Sequence, residues 1–125
     1  LPEDKRVWNP NNKARSALDQ MAECAILNGY TATLIETQKW DAANMDAFMQ
    51  AKSSLVAEGW EACTALLEEN TSKVIVAIGA APDDALSVKI QMPWGAQMMS
   101  EIIAYPFWNM TYHQGQIYYI GSMLA

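Results

Sequence analysis

The chain is poor in the side chains on which most protein chemistry relies. It has one histidine, two cysteines and eight lysines and arginines among 125 residues. Fourteen acidic residues bring the formal net charge to -6, which argues against a phosphate-neutralising surface and excludes nucleic acid as a partner. No uninterrupted apolar run reaches the ~18–20 residues of a membrane span, so no membrane partner is expected. No basic segment followed by an apolar one marks an export signal. Cys24 and Cys63 are too few to staple a small secreted domain and lack metal-knuckle spacing. They read as two reduced, half-buried thiols of a soluble, cytoplasmic protein. Gly79 and Gly95 are isolated, so there is no glycine-rich phosphate loop. Repeats, low-complexity tracts and a linker to a second domain are missing too.

What is present is core. Hydrophobic residues make up 51% and charged residues 18%, the balance of one globular domain. Eight methionines and five tryptophans point to a large, adaptable interior. Residues 1–12 form a proline- and asparagine-rich loop around Trp8, with Asn11 or Asn12 placed to cap the next helix. Residues 13–37 predict that helix. Leu18, Met21, Ala22, Ala25, Ile26, Gly29 and Tyr30 fall on one apolar arc, with Gln20, Cys24, Asn28 and Thr31 opposite.

Residues 38–45 read as a connection anchored by Trp40. A second helical seam, Val56, Trp60, Cys63, Leu67, Asn70, Val74 and Ile78, extends from about residue 46 to 81, with a break allowed near Gly59 or Asn70. Glu58, Glu61, Glu68 and Glu69 form its solvated face, while Asp41, Asp46, Asp83 and Asp84 suit turns and helix starts. Residues 86–92 alternate as a short strand ended by Pro93. Residues 96–124 predict a last helix, kinked at Pro106. Three long helices leave a bundle open, because rods of this length normally close in fours. Either a helix precedes Leu1 or a partner subunit covers the open side.

Two positions stand out. His113 shares a helix face with Asn109, Gln116 and Ile120, and Gly115 inside the same helix suggests a close approach there. Glu23 sits on the apolar arc of the first helix, where a carboxylate needs a partner. A buried Glu and a lone His on facing helices are natural partners.

Residues 109–117, NMTYHQGQI, resemble the H-x-x-x-H-H-R-G-Q-I motif that closes the DinB-like superfamily of bacterial helical bundles. Residues 16–23, SALDQMAE, are similar to that family's S-A-L-x-x-L-x-H context, and Trp8, Pro10, the turn at residues 82–84 and Trp94 with Gly95 also have counterparts. The resemblance implies an all-α, up-down four-helix bundle with a short β element near residues 86–92. It also implies that a first helix, found before the Trp-Pro loop in the family, is missing here. The family's three histidines bind a divalent metal such as zinc or nickel, and some members use it to activate a low-molecular-weight thiol. Carried over, those positions are Glu23, Asn109 and His113, with one histidine of three retained. Tyr30, Tyr112 and Gln116 are the expected pocket residues. Family members commonly pair, so a homodimer is expected.

Two functional readings follow. In the first, Glu23 and His113 ligate zinc or nickel with Asn109 as a weak third ligand, in a metal-dependent thiol transferase or a hydrolase-like enzyme. In the second, Glu23 and His113 form a metal-free hydrogen-bonded network in a non-catalytic small-molecule-binding or dimeric scaffold protein. A neutral amide is a poor ligand, and a site with one imidazole is seldom tight. The balance therefore favours weak or absent metal. A Cys-His or Ser-His relay has no support in the spacing.

Overall fold

A computed structural model describes residues 1–40 and 45–125, with the side chain of Met45 left aside. Among these residues lie four α-helices and one two-stranded sheet: α1 (Ala17–Thr37), α2 (Met45–Glu58), α3 (Trp60–Ala80), β1 (Lys89–Met92), β2 (Gly95–Met98) and α4 (Met99–Leu124). Short 3-10 helices occupy Glu3–Lys5 and Asp83–Ser87. The class is mostly helical, as expected. None of these helices is long and apolar enough to cross a membrane.

Helix α1 begins at Ala17 rather than at residue 13. Ser16 is the cap, its Oγ accepting from Asp19 N at 3.2 Å. Asn11 instead holds a turn ahead of the helix, its Oδ1 accepting from Lys13 N and Ala14 N at 2.8 and 2.9 Å. Gln38 closes α1 in a left-handed conformation, donating its backbone N–H to Leu34 O. Trp40 packs edge-on against Trp94 with ring centroids 5.8 Å apart, the anchor expected of that connection. Asp41 and the rest of residues 41–44 lie outside the described residues.

The long rod expected at 46–81 is two helices. Gly59 has φ 98 and ψ -176, a conformation essentially confined to glycine. The Cys63 thiol reaches Leu55 O at 3.6 Å, although eight residues of continuous helix would separate the two by about 12 Å. The chain has therefore doubled back at the glycine. Contacts fix the directions. Met21 meets Thr64, Ala25 meets Asn70 and Asn28 meets Thr71, so α1 and α3 run the same way. Tyr30 meets Phe48 and Asp19 meets Lys52, so α2 runs against α1. Glu23 meets His113 and Asn28 meets Met110, so α4 also opposes it. The described residues thus hold four helices rather than three long ones, with the break at Gly59 rather than at Asn70.

The strand also differs from expectation. Residues 83–87 are 3-10, and β1 pairs antiparallel with β2 in the register Lys89↔Met98 to Met92↔Gly95 across Pro93 and Trp94. Residues 96–98 thus belong to the hairpin rather than to the last helix. That pairing is made with residues upstream, which local helical periodicity does not report. Ile90 and Met92 point inward. Helix α4 then starts with Glu101 accepting from Met98 N at 2.9 Å and continues through Pro106.

The core has two parts. Leu18, Ala22, Ala25, Ile26, Leu55 and Cys63 pack at one end, and Leu34, Ile35, Val74, Ile90, Met92, Met99 and Ile102 at the other. Both cysteines are free and fully rather than half buried. Between the two parts runs a polar layer. Asn28, with 0% of its surface exposed, donates to Thr71 Oγ1 at 2.9 Å, and Asn70 donates to Ala25 O at 2.9 Å. Gly29 makes this possible, because a Cβ there would lie 2.7 Å from Asn70 Nδ2. The close approach read from Gly115 is not found: a Cβ at that position would meet nothing within 4 Å. Glycine costs helix stability at both places, and at Gly29 alone it is matched by a contact.

Gly29→Ala should therefore destabilise the fold by about 1–3 kcal/mol through overpacking and a displaced buried hydrogen bond. Gly115→Ala should stabilise it by about 0.5–1 kcal/mol. Urea unfolding midpoints of the two variants check the opposite signs.

Candidate functional site

Helices α1 and α4 bring Glu23 and His113 together, as the sequence suggests. His113 is buried at 4% exposure, and its Nε2 lies 3.0 Å from Glu23 Oε1. Its Nδ1 lies 2.9 Å from Gln20 Oε1 and 2.9 Å from Gln116 Oε1. Gln20 donates its amide nitrogen to Arg15 O at 3.3 Å, which turns its carbonyl oxygen toward the imidazole. Both ring nitrogens thus face acceptors, and the imidazolium form supplies a proton to each. Tyr112 closes one side, its ring edge-on to the imidazole at 5.3 Å.

The carboxylate is equally engaged. Glu23 Oε2 lies 2.6 Å from Arg15 Nη1, and its side chain is 17% exposed. Arg15 also pairs through Nε with Asp19, whose other oxygen lies 3.1 Å from Lys52 Nζ. Lys52, from α2, is buried at 7% exposure. Charges alternate along Lys52, Asp19, Arg15 and Glu23, and the contact of Glu23 with His113 completes a chain that ties α2 through α1 to α4. The hydrogen bond from His113 holds the Glu23 carboxyl below its ordinary value, and Arg15 adds to this against the burial that pushes it up. Each charge has an opposite partner, which is what makes their partial burial tolerable.

Asn109 stands apart from this clasp. It is buried, and its Nδ2 donates to Cys24 Sγ at 3.7 Å. Burial, with the Glu23 charge next to it, pushes the Cys24 thiol up to about 11, so it stays protonated and is no nucleophile at neutral pH. Burial also raises the Cys63 thiol. Among the described residues no group of three or more His, Cys, Asp or Glu is placed to hold a metal ion. As arranged, each expected ligand is engaged by another side chain: His113 Nε2 by Glu23, Glu23 by Arg15, and Asn109 Nδ2 by Cys24 Sγ.

The three expected pocket residues divide. Tyr112 and Gln116 border an open groove of about 780 Å³ with Lys13, Arg15 and Tyr119. Tyr30 lines a different, smaller hollow farther along α1. Lys52, Arg15, Asp19 and Gln20 were not singled out by the sequence. The i, i+4 spacing of Arg15 and Asp19 ahead of Glu23 was a usable signal for two of them, and nothing local marked Lys52. The acidic face of the second seam is as expected: Glu58, Glu61, Glu68 and Glu69 are all exposed.

No protein-family model and no curated protein matches the chain.

The clasp should show in acid unfolding. A carboxyl held low in the fold contributes stability above its unfolded value of ~4.3, and that contribution disappears as pH falls through the lower folded value. Thermal midpoints of the wild-type protein should therefore fall more steeply below about pH 4.5 than those of Glu23→Gln. Circular dichroism melts at a series of pH values check this, and parallel curves would show the pairing contributes nothing.

Proposed function

We propose that this chain is a divergent DinB-like helical protein acting as a metal-free, non-catalytic scaffold that binds a small molecule. The supporting observation is the saturation of His113, whose two ring nitrogens already have acceptors at 2.9 to 3.0 Å. At the positions where the family's histidines would bind metal, this chain has a network that satisfies itself. A thiol-transfer or hydrolase-like reaction needs an activated sulfur or water. Here Glu23 is engaged by Arg15 and His113, and the Cys24 thiol is held in its protonated form. The reading accordingly has the thiol-type ligand of the family replaced by one that is bound without chemistry. Two buried reduced thiols suit the cytoplasm.

Metal analysis of protein purified without chelator, followed by zinc and nickel titration, tests this reading. Well below one equivalent of metal and no saturable uptake are expected. Stoichiometric metal that disappears in Glu23→Ala would restore the enzymatic reading.

The reading includes a homodimer. Phe107, Trp108, Tyr112, Tyr118 and Tyr119 are 52–75% exposed along α4, Phe107 and Tyr118 opposite Asn109 and the other three on its flank. Trp108 and Tyr112 stack at 5.5 Å, 10° from parallel. At about 150–250 Å² per aromatic side chain, they expose on the order of 500 Å², a patch as large as monomers usually carry. Light scattering at micromolar concentration should give twice the 13.9 kDa chain mass, and a monomer would remove the dimer from the reading.

A further inference from the structure

Gly115 has no purpose within the fold. Glycine weakens a helix interior, and a Cβ at this position would meet nothing within 4 Å among the described residues. Its neighbours along α4 supply a pattern. Tyr105, Trp108, Tyr112, Gly115, Tyr119 and Ser122 recur at alternating steps of three and four, the spacing of a seam between two nearly aligned helices. All six are exposed. Tyr112, Gly115 and Tyr119 also line the open groove of about 780 Å³, so a helix seated on the stripe would wall that groove. Of the groove's lining residues only Lys13 and Arg15 are charged, and Arg15 is already held by Asp19 and Glu23.

Charge points to the occupant. Every Asp, Glu, Lys and Arg of the chain lies before Ile102, so residues 102–125 hold none of the excess that sets the net charge at -6. Two acidic copies repel, and this stripe lets them meet without bringing like charges into contact. A strongly acidic or basic partner would lose hydration against it without gaining a counter-charge. Shape fixes the direction. In an antiparallel pair with its two-fold axis at Gly115, equal steps before and after that residue face each other. Trp108 then faces the partner's Ser122, large against small, and Tyr112 falls beside the partner's Tyr119. A parallel pair would set Trp108 against the partner's Trp108 and leave the Ser122 layer unfilled. Glycine on the axis lets the helices approach to the short end of the usual ~8–10 Å spacing. The paired aromatics would bury on the order of 1,000 Å² over both copies, the lower limit of a specific interface, so micromolar pairing is expected.

We propose that two copies of this chain pair antiparallel through the α4 stripe, crossing at Gly115, and that each copy completes the open side of the other's groove. The proposal rests on the homodimer reading. It adds the face, the direction and a ligand site shared between copies.

Sedimentation velocity and disulfide trapping of the full chain test it. Gly115→Leu should weaken pairing about tenfold or more through overpacking at the crossing. Gly79→Leu, at an equally open glycine on α3, should leave pairing unchanged. The gain expected of Gly115→Ala belongs to the single chain and is read at concentrations below pairing. Cys24 and Cys63 are buried, so an added surface cysteine is the reactive one. With copper phenanthroline as oxidant, Gly115→Cys should give a covalent dimer. Ser122→Cys should not, because antiparallel copies hold it about 20 Å from its counterpart. In the ¹⁵N-labelled chain the Trp108 indole and the Gln116 side-chain amide, which lines the groove, should both shift with concentration. A dimer that is unaffected by Gly115→Leu and not trapped by Gly115→Cys overturns the proposal and leaves the homodimer standing. Trapping through Ser122→Cys overturns the direction, and an unmoved Gln116 amide overturns the shared groove. A monomer up to about 1 mM overturns the proposal and the homodimer together. Should Gly115→Leu fail to fold, the two cysteine variants decide.

Discussion

A single buried imidazole joins the last helix to the first. His113 projects from α4 into a notch that α1 lines with acceptors, and it satisfies Glu23 on one side and Gln20 on the other. Glu23 is bound in turn to Arg15, Arg15 to Asp19, and Asp19 to Lys52, so displacement of α4 would strip Glu23 of its histidine contact and leave His113 without its acceptors on α1. Apolar surfaces slide over one another at little cost, whereas a buried carboxylate has few acceptable positions. The clasp thus specifies one arrangement of helices that the hydrophobic seams alone would leave loosely defined.

This explains an oddity of α1. A surface helix buries one stripe and hydrates the other, but α1 is covered on both. Its apolar arc faces α2 and α3, and its polar stripe of Gln20, Cys24 and Asn28 faces α4. Polar groups are used there because the opposing helix offers complementary ones. The same helix carries on past the clasp to the hollow lined by Tyr30, so the polar and apolar features of the interior are successive stretches of one α1–α4 seam.

Much of this was legible in advance, and the misses have identifiable causes. Helix α1, the facing of Glu23 and His113, and the exposed acidic edge all follow from side-chain spacing along one helix at a time. The hairpin was half seen: β1 alternates, but β2 is a strand only because β1 lies beside it, and pairing partners are not encoded in local pattern. The fold at Gly59 was obscured because the apolar period continues across it, and periodicity carries no information about direction. Lys52 was invisible because a lone lysine on a polar-looking helix normally points to water, and only the placement of Asp19 by another helix draws it inside. Asn109 was grouped with His113 by its position on the wheel, yet its amide turns to the sulfur one turn away on α1.

The turn at Gly59 also limits what mutation can do to this protein. No neighbour crowds the position, and the restriction is purely one of backbone torsion, so even the smallest side chain is unsuited to it. Each single-base change that replaces this glycine therefore acts on the path of the backbone rather than on a contact. The enclosure of α1 on a third side, and with it the seating of Lys52, descends from one codon whose product contributes no side-chain atoms.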